Sequence, residues 1–368
     1  MKMPKSKVQD KELPRQSLIE LGKKLAEDIE KGRNPSIEVS VRALSNVSFD
    51  KKTKKLSLGE RTATREFFNV AHIRKFTQTM AVARIAKKEL LDRGLHASLR
   101  DIYYQAKKTI PGTDINIVDE QQETDSAIED LEIVTGYSRE QLHINANKMG
   151  SVAGKVIIED KGDTIDWSRL GSGGWSIPSN VEDIEFKKVS AKYVVYMEKA
   201  AVWERLHEDK FWDKQNCIIL SSQGQTTRGI RRLLQRLRTE HELPIYILTD
   251  FDPYGIYIYS VIKFGSISLA HMSETLALPD VKFLGISADD IKNYGLTNAI
   301  RLKDVDISRL KQLSEYDWFK NSKAWQRQFK MMKDMNGKYE IQALSSRGIT
   351  FISEKYLPEK IRKEDFID

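Results

Sequence analysis

The chain has 368 residues, 40% of them hydrophobic, with 60 Lys and Arg against 53 Asp and Glu for a net charge of +7. That size allows two or three domains with real cores, and the weak positive balance leaves an anionic partner open without requiring one. The single cysteine, Cys217, excludes an intramolecular disulfide and a thiolate metal cluster, and no apolar run approaches the roughly 20 residues of a membrane span. A cytoplasmic protein with no signal peptide and no membrane partner is therefore expected.

Residues 1–12 are charged and without apolar periodicity, so disorder is expected there. Leu18, Leu21, Leu25 and Ile29 predict an amphipathic helix, Ile37–Val41 alternates as a strand, and Val47–Phe49 with Leu56–Leu58 predict a hairpin around the basic Lys51–Lys55. Residues 1–70 thus read as an extension of helix and β-hairpin. Residues 71–160 read as three helices and then strands. The first helix runs to Gly94 and carries Val82, Ile85 and Leu90; the second spans Ser98–Lys108 after a short turn; the third starts near Asp125 and stops at Gly136. Leu142–Ile144 and Val156–Ile158, flanking Gly150 and Gly154, predict a β-hairpin. Three helices and a hairpin describe a winged helix, the helix-turn-helix variant that lays its second helix against DNA.

That second helix has a distinctive face. Ser98 and Asp101 have the spacing of an N-terminal cap, and Leu99, Ile102, Tyr103 and Ala106 form a buried stripe. Arg100, Tyr104 and Lys108 fall at i, i+4 and i+8 on the opposite face, so Tyr104 is the exposed tyrosine, beside a guanidinium. Residues 61–108 carry eleven basic and four acidic side chains, whereas residues 119–132 carry seven acids and no base. A basic face around an exposed tyrosine points to nucleic acid, with Lys107 and Lys108 as backbone contacts.

Residues 161–188, with Gly171, Gly173 and Gly174, read as a connector. The period then changes, and residues 189–368 read as a parallel α/β domain with a C-terminal elaboration in which Trp318, Trp325, Phe329 and Met332 form core. The strands Tyr193–Met197, Ile218–Leu220 and Ile245–Leu248 are each followed by a helix, and Val281–Gly285 continues the pattern. Glu198, Asp250 and Asp252 come at strand ends, where ligands of open parallel sheets bind. Three carboxylates in one crevice call for a cation, and an oxygen-only set suits Mg2+ completed by phosphate oxygens; a structural alternative is that Asp252 caps the next helix. The helix after the second strand presents Arg228, Arg232 and Arg236 as a stripe with Arg231 beside it, suited to phosphates.

Gly150–Lys155 is too short for a phosphate-cradling loop, lacks the following Ser or Thr, and reads as a β-turn. The six histidines show no zinc spacing, and no G-x-S-x-G elbow is present. An exposed tyrosine beside arginine on a DNA-docking helix, with a separate Mg2+ site, fits attack of a phenolate on a phosphodiester.

The segments Leu99–Tyr104, Val194–Leu206, Gly224–Leu237 and Thr249–Gly255, in that order, resemble the catalytic-tyrosine and Toprim motifs of the A subunits of type IIB DNA topoisomerases and their meiotic double-strand-break relatives. The similarity runs from about Ile37 to the C-terminus. It implies an α/β multidomain chain, a helix-turn-helix (winged-helix) domain followed by a Toprim parallel α/β domain. It also implies that Tyr104 is the nucleophile, that Arg100 assists it, and that Glu198, Asp250 and Asp252 hold Mg2+. The expected activity is a transient double-strand break through 5′-phosphotyrosyl links, which relaxes and decatenates DNA. The expected assembly is a homodimer on double-stranded DNA, with an ATPase B subunit that binds the ATP and completes an A2B2 heterotetramer in an archaeal cytoplasm. A stand-alone Toprim double-strand-break endonuclease without strand passage is the alternative.

Overall fold

Apolar side chains spaced three and four apart set the early part of the chain as packed helices. The computed structural model describes residues 9–367, and among these the contacts divide the chain into two units that interleave in sequence. One holds the chain up to Asn46 together with Leu58–Asn147; the other holds Val47–Ser57 and everything from Lys148 onward.

In the first unit, α1 (Gln9–Glu30) precedes β1 (Ser36–Ser40). The chain then leaves to form β2 (Val47–Asp50) and β3 (Lys55–Leu58), a two-stranded ribbon, and returns as β4 (Thr62–Glu66), which pairs antiparallel with β1. α2 (Ile73–Ile85) continues through a π-turn and a 3-10 turn to Gly94, whose φ of 65° ends it in the left-handed region that glycine tolerates best. The short β5 (Ala97–Ser98) leads into α3 (Leu99–Ala106); α4 (Gln121–Thr135) follows, and β6 (Ile144–Asn145) pairs in parallel with β5. Val82, Ile85, Leu90, Ile102, Tyr103, Ile128, Leu131 and Ile144 close one core between these elements. Buried Asp130 of α4 pairs with Arg42 at 3.0 Å and Arg65 at 2.7 Å, tying the β1–β4 ribbon to the helices.

The second unit is built on a mixed sheet. β7 (Ser151–Gly154), β8 (Val156–Asp160), β9 (Asp163–Asp166), β10 (Trp175–Ser176) and β11 (Glu185–Val189) come first. β12 (Val194–Met197), α5 (Ala200–Glu208), α6 (Phe211–Lys214), β13 (Ile218–Ser221), α7 (Arg228–His241), β14 (Ile245–Leu248), α8 (Pro253–Phe264) and β15 (Lys282–Gly285) then alternate. The sheet order is β10–β7–β13–β12–β14–β15, with β12 to β15 parallel and β7 and β10 antiparallel at one edge. Strands β12 and β13 are buried throughout, as expected of parallel strands covered on both faces. Trp325, Phe329 and Met332 are core, as their helical spacing predicts. The β2–β3 ribbon belongs here: Phe49 meets Phe264 and Trp318 edge-on and tilted at 5.6 and 6.1 Å, and Lys55 pairs with Glu274 at 2.8 Å.

Several expectations are corrected. The segment expected to be disordered lies, for residues 1–8, outside the described residues, whereas α1 already begins at Gln9. The predicted hairpin between Leu142–Ile144 and Val156–Ile158 does not form. β6 pairs with β5 instead, Gly150–Gly154 is not a β-turn but forms β7 between β10 and β13 of the large sheet, and β8 pairs with β9 and β11. Residues 148–160 therefore lie in the second unit, and no wing is built from them. Residues 161–188 are not a passive connector. They supply β9, β10 and most of β11, and fully buried Trp167 stacks on Trp175 at 5.5 Å. The four-residue β9, the two-residue β10 and the largely charged β11, with the Gly171–Gly174 glycines between them, carry too little apolar alternation to be read from sequence.

Glu123 near the start of α4 reports on the first unit. Partial burial pushes its carboxyl up, but Arg74, Gln78 and the backbone N–H groups of Asp119 and Glu120 outweigh this and bring it from the ordinary 4.5 down to about 2. A depressed folded-state value stabilises above the unfolded value and loses that contribution as pH falls through the folded one. The melting temperature should therefore drop between about pH 4.5 and 2, and Glu123→Gln should flatten that drop in a thermal-melt series across pH.

Candidate active site

Two constellations carry chemistry, one in each unit. The first is the exposed face of α3. Ser98 accepts from the Asp101 N–H, and the Asp101 carboxylate accepts from the Ser98 N–H, so the capping box read from the sequence is formed and contributes about 1 kcal/mol to the helix start. Tyr103 is 8% exposed and Tyr104 60%, the division the helical register predicts. Arg100 Nη2 donates to Tyr104 Oη at 3.3 Å, and its guanidinium stands 5.4 Å from the ring centroid. Gln121, in the first turn of α4, accepts from Arg100 Nη1 at 2.9 Å and fixes the approach of the guanidinium. Nothing in the α3 pattern points to Gln121, because the contact crosses 21 residues.

The neighbouring tyrosine is held elsewhere. Tyr103 Oη donates to the Asp119 carbonyl at 2.9 Å and accepts from Lys107 Nζ at 2.9 Å. Lys107 is thus oriented by Tyr103 while remaining exposed, as is Lys108. Arg100, Tyr104, Lys107 and Lys108 share one unit, and a phenol beside a fixed guanidinium can be attracted to an anionic centre as a nucleophile.

The second constellation lies at the carboxyl ends of β12 and β14. Parallel pairing sets Met197 opposite Leu248, so Glu198 and Asp250 emerge from adjacent strands of the sheet. The backbone N–H of Asp250 bonds the Glu198 carboxylate, whose Oε2 is buried without a hydrogen-bond partner. Burial first, and then the charges of Asp250 and Asp252, push the Glu198 carboxyl up to about 7. Asp250 is raised by burial against the opposing pull of Lys199, whose Nζ lies 2.8 Å from Asp250 Oδ2. Its Oδ1 accepts the Ile341 N–H at 2.9 Å.

Asp252, also raised by burial, caps α8 by accepting the Gly255 N–H at 2.6 Å. The capping alternative therefore holds for this residue alongside its place in the acidic site. Gly255 is required by packing, since a Cβ there would stand 2.5 Å from the Asp250 carbonyl.

Among the described residues no three Asp, Glu, His or Cys side chains are gathered tightly enough to enclose an ion. One carboxylate is engaged by lysine and another by a helix end. An orphaned carboxylate oxygen in an oxygen-only set nonetheless fits a hydrated divalent cation, which needs only one or two protein carboxylates when waters and phosphates complete its shell.

The expected arginine stripe on α7 is not an exposed surface. Arg228, Arg231 and Arg236 are 7%, 2% and 7% exposed. Arg236 binds Glu240 and the Val181 carbonyl and lies 5.0 Å from the Phe186 ring, while Arg232 Nη2 pairs with Glu182 at 2.9 Å. These side chains fasten α7 to the segment before β11. The apolar stripe of α7 is right, but the arginines flanking it sit under preceding strands whose weak periodicity reads as a connector.

Known proteins match along the whole of this architecture. Residues 193–361 match the family model for the Toprim domain of the topoisomerase 6 A subunit and Spo11. Residues 74–144 match Type IIB DNA topoisomerase, and residues 146–190 match the all-beta domain in DNA topoisomerase VI alpha subunit. The type 2 DNA topoisomerase 6 A subunit of Pyrococcus abyssi is 45% identical over 357 residues, covering 94% of this chain and 93% of the relative. Its counterpart in Hyperthermus butylicus is 42% identical over 364 residues, with 94% of each chain covered. That of Methanocaldococcus jannaschii is 36% identical over 372 residues, covering 99% and 98%. With identity at this level sustained from end to end of the relatives, the chain belongs to the type IIB DNA topoisomerase family, among the A subunits of topoisomerase 6.

Proposed function

We propose that this chain cuts and rejoins DNA as the catalytic subunit of a type IIB topoisomerase, with Tyr104 as the nucleophile. The observation that carries this reading is the Arg100–Tyr104 contact of 3.3 Å on the exposed face of a capped helix. In the forward step Tyr104 Oη forms a bond to a phosphodiester phosphorus as the bond from that phosphorus to the 3′ oxygen breaks. The phenolic proton is lost, the 3′ oxygen gains a proton, and a 5′-phosphotyrosyl link remains. Arg100 favours the phenolate and stabilises the negative charge gathered on the phosphoryl oxygens. Because one phosphoester replaces another, the reverse attack by the 3′ hydroxyl reseals the strand without an external energy source.

Glu198, Asp250 and Asp252 are the residues that would hold Mg2+, which supplies a Lewis acid for phosphate oxygens when bound. Oxygen-only donors and the unpartnered Glu198 Oε2 support that choice. The helical unit docks double-stranded DNA through α3, with Lys107 and Lys108 on the backbone and a helix-turn-helix supplied by α2 and α3. Two copies of the chain are needed to cut both strands, the tyrosine of each working with an acidic site of the pair. The naming of the relatives as one kind of subunit supports a second kind, an ATPase B subunit, completing A2B2. The archaeal relatives support a place beside DNA in an archaeal cytoplasm, and no helix among the described residues is long and apolar enough to cross a membrane. A stand-alone endonuclease without strand passage is not favoured, because the archaeal relatives matched along more than nine-tenths of their length are topoisomerase subunits.

Tyr104→Phe should abolish covalent protein–DNA adducts on supercoiled plasmid while Tyr103→Phe retains them; adducts that persist in Tyr104→Phe would exclude Tyr104 as nucleophile. Arg100→Ala should slow cleavage by about 10²–10³, the usual loss when one donor to a developing oxyanion is removed. Above about pH 8, where Glu198 is ionised even with its carboxyl pushed up to about 7, Glu198→Gln removes a buried charge that faces Asp250 and Asp252, so in EDTA it should melt about 2–4 °C higher than the parent at that pH, a shift equivalent to about 1 kcal/mol, and it should lose Mg2+-dependent cleavage. Equal melting temperatures in EDTA would show that the three carboxylates do not repel one another.

A further inference from the structure

Lys199 follows Glu198 directly and reaches the same acidic site. Its Nζ lies 2.8 Å from Asp250 Oδ2 and 3.2 Å from Glu340 Oε1, and it donates to Gln342 Oε1 at 3.1 Å. Asp250 is 6% exposed, its Oδ1 accepts the Ile341 N–H, and the lysine holds Oδ2, the oxygen without a backbone donor, so an arriving cation meets the ammonium there. The three acceptors around the ammonium differ in setting. Asp250 is buried, while Glu340 has a side chain 52% exposed. An ammonium that lets go of Asp250 thus keeps a charged and a neutral partner at hand and is never left unpaired, the condition that makes removal of a buried ion's partner costly.

We propose that Lys199 is a built-in counter-cation that competes with the divalent metal for Asp250 and hands the carboxylate over by shifting onto Glu340 and Gln342. The proposal rests on the acidic site being the metal site of the cleavage reaction. While Lys199 holds Asp250, one of the three negative charges is neutralised, and the site attracts a divalent ion less strongly than three free carboxylates would. The ion is then retained best when phosphate oxygens complete its shell, so cation binding is coupled to the presence of DNA. The acidic site is thereby kept from holding a reactive metal in the absence of substrate. The pairing was open to sequence reading only as the adjacency Glu198-Lys199, because Glu340 and Gln342 come from the start of a 3-10 helix more than 140 residues away.

The test is Mn2+ binding to the full chain without DNA, followed by electron paramagnetic resonance of the free ion. Lys199→Gln, which keeps a hydrogen-bond donor but removes the charge, should bind Mn2+ about tenfold more tightly, a coupling in the usual range for linked sites. Glu340→Gln removes the lysine's alternative charged partner, commits it to Asp250, and should weaken Mn2+ binding several-fold. Unchanged or weaker binding in Lys199→Gln, or unchanged binding in Glu340→Gln, would overturn the proposal. Asp250→Asn separates the two levels: it should lose Mn2+ binding, and if it binds as tightly as the parent, the metal-site reading itself fails and the competition with it. Thermal melts of all three variants check that each is folded.

Discussion

Buried like charge is the constraint around which the second unit is arranged. Two parallel strands, β12 and β14, end side by side and deliver Glu198 and Asp250 to the same edge of a sheet whose faces are covered. Solvent cannot screen these groups well, and removing them from water costs more than a surface carboxylate would bear. The structure meets the cost piecemeal: lysine on Asp250, backbone donors on Asp252 and Asp250, and only one backbone donor for Glu198. What is left over is a directed deficit of positive charge at the place where strand ends present it. A site with that deficit is set up for an anionic substrate only when a cation accompanies it.

The first unit solves a different problem, that of exposing one reactive side chain on an otherwise anchored helix. α3 is only eight residues long and would not persist alone. It is held by its capping box, by the β5–β6 pairing that delivers its first residue, and by Ile102, Tyr103 and Ala106 in the core. With Tyr103 bonded to the Asp119 carbonyl and Lys107, the buried phenol has its polar valences satisfied, whereas the Tyr104 hydroxyl accepts from Arg100 and its ring is largely exposed. Two adjacent residues of one type thus acquire different chemistry from a rotation of about 100° per residue along the helix.

How far the sequence disclosed this depends on the range of each interaction. Local signals came through: the Ser98–Asp101 cap, the Gly94 and Gly136 helix ends, the Tyr103 and Tyr104 faces, and the strand-end positions of Glu198, Asp250 and Asp252. Signals that depend on partners far along the chain did not. β6 and β8 looked like the two arms of one hairpin turning at Gly150–Gly154, but β6 pairs with β5, β8 with β9 and β11, and the expected turn is itself strand β7, bonded to β13 and β10. Arg228, Arg232 and Arg236 looked like a solvent-facing stripe because helical periodicity assigns a face, and it cannot say that the segment around Val181 and Glu182, about 50 residues earlier, packs against that face. Gln121 and Glu340 were invisible for the same reason.

The interleaving of the two units constrains how the chain can be divided. The β2–β3 ribbon is made early but shares its apolar contacts with Phe264 and Trp318, more than 200 residues later. Until those partners emerge from the ribosome, Phe49 and Leu56 have no lasting cover, although the helices that follow them can already pack. A fragment ending after the first unit would carry this ribbon as an unpartnered loop between β1 and β4. A domain boundary drawn by counting residues from the N-terminus therefore separates side chains that belong to one core, and a separable helical unit calls for a short linker in place of Val47–Ser57.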